Sequence, residues 1–208
     1  MNRFYCLKIT LKDVHRPIWR RFVVPADIRL DKLHDVLQTI MGWCDGHLHA
    51  FEVSKGRRDI QSYKAAEWID DGWDDSLPEE DYTLESLLSE KGAKIRYRYD
   101  FGDNWEHEIL LENPNYDDPD QPGPIFCIKG VGACPPEDCG STWGFENFCE
   151  AIADPKHPKH KEFKEWYDGK YDPEHFDLDG VNEELGIEQP STPTKKAKKK
   201  ATKKKSAS

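Results

Sequence analysis

No stretch of the chain is apolar for long enough to cross a bilayer as a helix, so no membrane span is expected. The first residues, MNRFYCLKITLKD, also lack the apolar centre of a secretory leader; they alternate apolar and polar side chains instead. The six cysteines therefore read as reduced thiols or metal ligands, and the expected compartment is the cytoplasm. There is no Cys-x-x-Cys pair and no internal repeat. The tripeptide Asp100-Phe101-Gly102 has no glycine-rich phosphate loop, strand lysine motif or His-Arg-Asp segment to accompany it, so it carries no kinase meaning. Hydrophobic residues amount to only 37%, below the usual share for a globular domain. Seven tryptophans, nine phenylalanines and eight tyrosines offset this, because each ring buries a large apolar area.

Charge is plentiful and unevenly spread. The formal net charge is -10, from 30 Lys and Arg against 40 Asp and Glu. Residues 195–208 hold eight lysines (Lys195, Lys196, Lys198, Lys199, Lys200, Lys203, Lys204, Lys205) and no acid. Residues 1–194 then carry 22 basic against 40 acidic side chains, a net of -18. Such a body repels nucleic acid and anionic membranes, while the tail attracts them. From Gln189 onward Pro, Ser, Thr, Ala and Lys dominate, so 189–208 is expected to be a disordered tail behind a single domain at 1–188.

Periodicity sets the elements. Tyr5, Leu7, Ile9 and Leu11 alternate as in a strand, and Ile18–Val24 supplies its hairpin partner. Leu30, Leu33, His34, Leu37, Ile40 and Met41 make the apolar stripe of a helix that Gly42 ends. Residues 47–53 return to period two. Residues 54–82 are poorly periodic, and their acids (Asp70, Asp71, Asp74, Asp75, Glu79, Glu80, Asp81) read as a solvated loop. Thr83 is suited to cap a short helix through Leu88. Ile95, Tyr97, Tyr99 and Phe101, the turn Gly102-Asp103-Asn104, and Trp105, His107, Ile109 and Leu111 form the most secure hairpin. Residues 113–124, with four prolines, read as a loop, followed by helical stripes at Phe145–Ile152, Phe163–Tyr167 and Leu178–Leu185. Clustered strands and helices without βαβ alternation predict an α+β fold: an antiparallel or mixed sheet with helices on one face.

The segments PIWRRFVVP (17–25), LDKLHDVLQTIMGW (30–43), HLHAFEV (47–53), YRYDFGDNWEHEILLE (97–112), CIKGVGACPPEDCGSTWGF (127–145), AIADPKHPKH (151–160) and YDPEHFDLDGVNEEL (171–185) occur in this order. In them the chain resembles the plasmid Ri (pRiA-type) third-open-reading-frame family, which includes proteins described as passengers of insertion elements. The resemblance covers about residues 3–187 and implies an α+β fold with a mixed or antiparallel sheet; it implies little about activity. The family usually reads Cys-Gly-Gly where this chain has Cys139, Gly140 and Ser141.

One polar cluster stands out from core-building needs: His47, His49, Asp100, Asp103, Trp105 and His107. His47 and His49 repeat at the period of a strand face, and His107 lies on the apolar face of its own strand. If these strands are neighbours, the imidazoles converge, and Cys127, Cys134 and Cys139 lie within reach of them. His49, His107 and these cysteines are ligand types for zinc. Core histidines beside Asp100 or Asp103, with cysteines packing as small hydrophobes, explain the same residues without metal. Glu137 and Asp138, after two prolines, are candidate acid–base groups or cation ligands; equally, they suit the positive end of the helix after Ser141. Arg16, Arg20 and Arg21 around Trp19 read as an ordinary exposed strand face. Two functions stay open. One is a non-enzymatic binding or accessory module of mobile-element type, whose lysine tail makes weak, sequence-independent contact with nucleic acid. The other is a metal-dependent enzyme of hydrolytic type using a His/Cys/carboxylate cluster. The sequence names no partner and no substrate.

Overall fold

Three hairpins and two further strands build one eight-stranded sheet. The computed structural model describes residues 3–56, 59–70 and 74–187. Strands β1 (Phe4–Leu11) and β2 (Trp19–Pro25) pair antiparallel, putting Leu7 opposite Phe22 and Tyr5 opposite Val24. Helix α1 (Leu30–Met41) follows, ending at Gly42 in the left-handed region at φ 92°, whose N–H donates to Gln38 O. Then come β3 (His49–Gly56), β4 (Asp59–Lys64), β5 (Leu77–Pro78) and the short helix α2 (Leu84–Leu87). The central hairpin is β6 (Lys94–Tyr99) with β7 (Trp105–Tyr116), and β8 spans Phe126–Val131. Helices α3 (Ser141–Ala153), α4 (His160–Trp166) and α5 (Leu178–Glu184) complete the body. The strand order is β5-β4-β3-β6-β7-β1-β2-β8. Only the β4–β5 pairing is parallel among the described residues, so the fold is α+β with a mixed sheet.

One face of that sheet is the core. Tyr5, Leu7, Ile9, Phe22, Phe51, Ile95, Tyr97, Trp105, Ile109 and Leu111 join Leu33, Leu37 and Ile40 of α1 and Phe145 and Phe148 of α3 in a single buried cluster. Each such side chain contributes roughly 1.5–3 kcal/mol on burial. The opposite face is charged over its middle: Arg96 pairs with Glu52 and Glu106, Arg98 with Glu52, and Lys94 with Glu108. Near β8 that face carries a small second cluster of Cys6, Val23 and Phe126, flanked by Ile187. The Asn182 side chain lies along β8, accepting from Cys127 N at 2.7 Å and donating to Cys127 O at 3.0 Å.

Several expectations need correcting. Residues 54–82 contain β4, β5 and two single 3-10 turns, Ala66–Trp68 and Glu79–Asp81, because Tyr63 and Leu77 pack against the core. Glu79, within the acidic run, is only 2% exposed. Strand β3 starts at His49, leaving His47 in the loop before it. Strand β7 runs on to Tyr116, past the first proline, and β8 had no periodic signal. Thr83 makes no side-chain cap; its backbone bridges Arg29. The turn of the central hairpin takes its left-handed residues at Asp100 (φ 52°) and Asn104 (φ 56°), not at Gly102. Arg20 is not on an exposed face: it lies on the core side at 1% exposure, opposite Ile9. There it donates to Ile40 O, Trp19 O and Val131 O and stacks on Phe176, so the end of α1 receives a cation. Asp71 and the tail from residue 189, with its eight lysines, lie outside the described residues.

Ser141 sits at φ 62°, directly after Gly140 at φ 89°. A side chain there is strained, and Ser141 makes no capping bond. Ser141→Gly is therefore expected to raise stability by about 0.5–1 kcal/mol. Thermal unfolding reads this directly, and an unchanged or lower midpoint would show that the serine is held by something stronger than the strain.

Candidate functional site

The loop between α1 and β3 gives one residue to each of two adjoining clusters, Asp45 to a buried one and His47 to an open one. Asp45, Asp100 and Asp138 all take left-handed backbone (φ 52–57°), a region that Asp tolerates better than most residues. Three sharp bends thereby bring three separate segments to one place.

The buried cluster starts from His34 and Gln38, four residues apart on the apolar stripe of α1. Gln38 Nε2 donates to the Tyr97 hydroxyl at 3.0 Å, and that hydroxyl is 2.8 Å from His34 Nδ1. The Asp45 carboxylate can only accept, so His34 Nε2–H donates to Asp45 Oδ1 at 2.8 Å; in the neutral ring Nδ1 is then the acceptor, and the Tyr97 hydroxyl donates to it. Gln38 Oε1 accepts from Asp45 N at 2.8 Å, which closes the ring. His49 stacks on His34 with ring centroids 3.4 Å apart and planes within 6°. Its Nε2 meets both oxygens of Glu79 at 2.9 and 3.0 Å, while Nδ1 is buried without a partner. Burial, and then the neighbouring His49, push His34 down to about 4.

Donor atoms of His34, Asp45 and His49 lie within 4.8 Å of one another. They still make a poor metal site. An ion must lie in the plane of each imidazole lone pair, and two parallel rings 3.4 Å apart offer no common point. Hydrogen bonding accounts for the cluster better.

The open cluster surrounds His47. Its Nε2 is 3.3 Å from Asp138 Oδ1 and 3.7 Å from Glu137 Oε2, and its Nδ1 is 3.9 Å from Asp100 Oδ1. Glu137 Oε1 accepts from Tyr99 OH at 2.9 Å and from Cys44 N at 3.1 Å, which leaves Oε2 buried and unpartnered. Burial and the Glu137 carboxylate hold the Tyr99 phenol well above its ordinary pKa. Ligand atoms of His47, Asp100 and Asp138 lie within 4.8 Å of one another, a spread that an ion could draw together, and Glu137 stands beside this group. The His47 cluster adjoins a cleft of about 350 Å³ that Asp45, Gly46, His47, Leu48, Trp68, Asp100, Phe101 and Gly102 line.

The expected residues therefore divide. His47 and Asp100 meet, and Glu137 and Asp138 join them. Glu137 and Asp138 do not cap α3, whose N-cap is Gly140 without a side-chain bond. Asp103 instead accepts from Gly140 N at 2.9 Å, tying the central hairpin to the Pro-Pro loop, and Trp43 Nε1 donates to Pro135 O in the same loop. The three imidazoles do not converge: His49 and His107 lie on either side of Tyr97, with ring centroids 6.1 and 5.5 Å from it. His107 is fully buried against Trp43, donates Nδ1–H to Tyr97 O at 3.2 Å, and is pushed by burial to about 3. Trp105 is core, between Trp43 and Phe145. Cys127 faces backbone carbonyls of Arg21 and Lys129, far along the sheet from His49. Cys134 and Cys139 pack in the apolar cluster, where burial drives their thiols well up, so they stay protonated and are poor ligands. No cysteine belongs to a metal-sized group among the described residues. Sequence reasoning missed His34, Gln38, Asp45, Glu79 and the Tyr97 and Tyr99 hydroxyls. The available signal was two polar side chains at helical spacing within an apolar stripe.

The comparisons agree with the fold and leave the chemistry open. A protein from Sinorhizobium fredii (strain NBRC 101917 / NGR234), the "uncharacterized protein y4hQ", is 42% identical over 162 residues, covering 77% of this chain and 78% of that one. The crystal structure of a protein of unknown function, MM3350 from Methanosarcina mazei Go1, superposes with a TM-score of 0.75 at 30% identity, over 86% of this chain and 97% of that one. The model of the plasmid pRiA4b ORF-3-like proteins matches residues 3–180, and the chain belongs to that family.

Proposed function

We propose that the protein is a metal-dependent enzyme of hydrolytic type, holding a divalent cation such as zinc or manganese between His47, Asp100 and Asp138. One observation carries this: ligand atoms of His47, Asp100 and Asp138, from three separate segments, lie within 4.8 Å of one another beside an open cleft. A bound ion would supply polarisation and a water of lowered pKa. Glu137 Oε2, 3.7 Å from His47 Nε2, would orient the ring from outside the ligand group. Tyr99 and Cys44 N fix Glu137. No helix among the described residues is long and apolar enough to cross a membrane, which agrees with a cytoplasmic enzyme built as one domain over 1–188. In the full chain, His47→Ala or Asp138→Asn is expected to weaken zinc or manganese binding at least about tenfold, with Asp103→Asn close to wild type. Untagged protein with no transition metal by elemental analysis, and no thermal shift on adding either ion, would remove this reading.

A second reading rests on charge alone. The net of -18 before residue 195 against eight lysines after it supports a non-enzymatic accessory module of mobile-element type, whose tail contacts phosphates without reading sequence. Deleting Lys195–Ser208 is then expected to abolish retention on duplex DNA at low salt. The intact chain is expected to lose affinity with a log–log salt slope of about -7. Equal retention of both chains counts against it.

A further inference from the structure

The cleft beside His47 is lined by both carboxylates and exposed apolar side chains. Its charged lining consists of Asp45 and Asp100 beside His47, with Asp138 on the imidazole's far side. The nearest cations are already engaged: Arg98 stacks on Phe101 at 4.4 Å and pairs with Glu52, and Lys64 pairs with Asp74 at 2.7 Å. Leu48, Trp68 and Phe101, exposed by 42, 37 and 36%, all line this one cleft. They are three of the six large apolar side chains left exposed among the described residues. A phosphate is repelled from such a place. A lysine fits it, because its stem lies along apolar surface and its ammonium seeks a carboxylate or a ring face.

We propose that the Lys195–Lys205 segment of this same chain docks in the cleft, ammonium groups on Asp45, Asp100 and Asp138 and stems along Leu48, Trp68 and Phe101. Docking needs no metal; where the cation reading holds, the lysines and the ion compete for the same acids.

Reach permits it. Ile187, the last described residue, packs beside Phe126 at the β8 edge. Five strand spacings separate β8 from β3, about 24 Å. Lys205 is 18 residues past Ile187 and reaches about 60 Å when extended, so the distal lysines arrive with chain to spare. The tether also holds the local lysine concentration in the millimolar range, enough to populate a contact of modest strength.

The test uses dilute full-length protein and a zero-length carbodiimide cross-linker with peptide mapping. Intramolecular links from Lys198–Lys205 to Asp45, Asp100 or Asp138 are expected, disappearing at high salt. Links scattered over Asp117, Asp118 and Asp120, links only between molecules, or none at all would overturn the proposal. In parallel, a full chain with all eight tail lysines changed to glutamine is expected to bind zinc or manganese about three- to tenfold more tightly at low salt, and equally at high salt. If neither chain binds a cation, the metal reading fails by itself, and the cross-links still decide the docking.

Discussion

Glu79→Ala is expected to lower the unfolding free energy by about 3–5 kcal/mol, read by urea denaturation at pH 7. Both Glu79 oxygens lie on His49 Nε2, both residues are at most 3% exposed, and His49 Nδ1 already lacks a partner. Truncating the acid leaves an imidazole with neither nitrogen satisfied, stacked against His34 in a space closed to water. The loss is a penalty for the orphaned partner rather than the worth of the pair. The double change His49→Phe with Glu79→Leu is accordingly expected to recover a substantial part of it, since both polar groups then leave together. A loss below about 1 kcal/mol in the single variant would mean that water or a rotamer change satisfies His49, and the cluster would not be the tight unit described above.

The second large effect is on the acid side of neutrality. His34 is held near 4 and His107 near 3, each chiefly by burial, against an ordinary value near 6.5. The unfolded chain takes up these two protons near pH 6.5, whereas the folded chain refuses them until pH 4 and below. The unfolded state therefore binds more protons in this window, and stability falls as pH drops from about 6.5. Near pH 5 the difference approaches two protons, giving a slope of about 2.7 kcal/mol per pH unit. Asp74, which Lys64 and Ser76 hold near 2, adds its own loss only below about pH 4. His107→Phe is expected to halve the slope. A wild-type slope below that of one proton would show that one of these imidazoles is charged in the native protein.

The legible part of the molecule was the part written in local pattern. Alternation in Tyr5–Leu11 and in Ile95–Leu111, and the three-four spacing from Leu30 to Met41 with Gly42 after it, reappear as strands and a capped helix because local period and burial agree there. Strand β5 was not legible. Two residues carry no period, and Leu77 and Glu79 are fixed by β4 and by His49, 14 and 30 residues away. The same holds for the site. His47 and Asp100 could be singled out, but their meeting with Glu137 depends on how the Pro-Pro loop lands, which Trp43 to Pro135 and Asp103 to Gly140 decide through space. His34 sat in plain view on the helix stripe and was absorbed as packing; only Gln38 one turn later hinted at a network.

Strand β5 is two residues long and contains Pro78, and β8 has Asn182 lying against Cys127 where a ninth strand would pair. A foreign peptide arriving as an extended ribbon at β8 would have to displace Asn182 from Cys127, while at the other border β5 covers only Tyr63 and Lys64 of β4. Sheet extension at the β8 border therefore competes with a side chain already seated there, whereas the Asp59–Ser62 stretch of β4 has no strand outside it among the described residues.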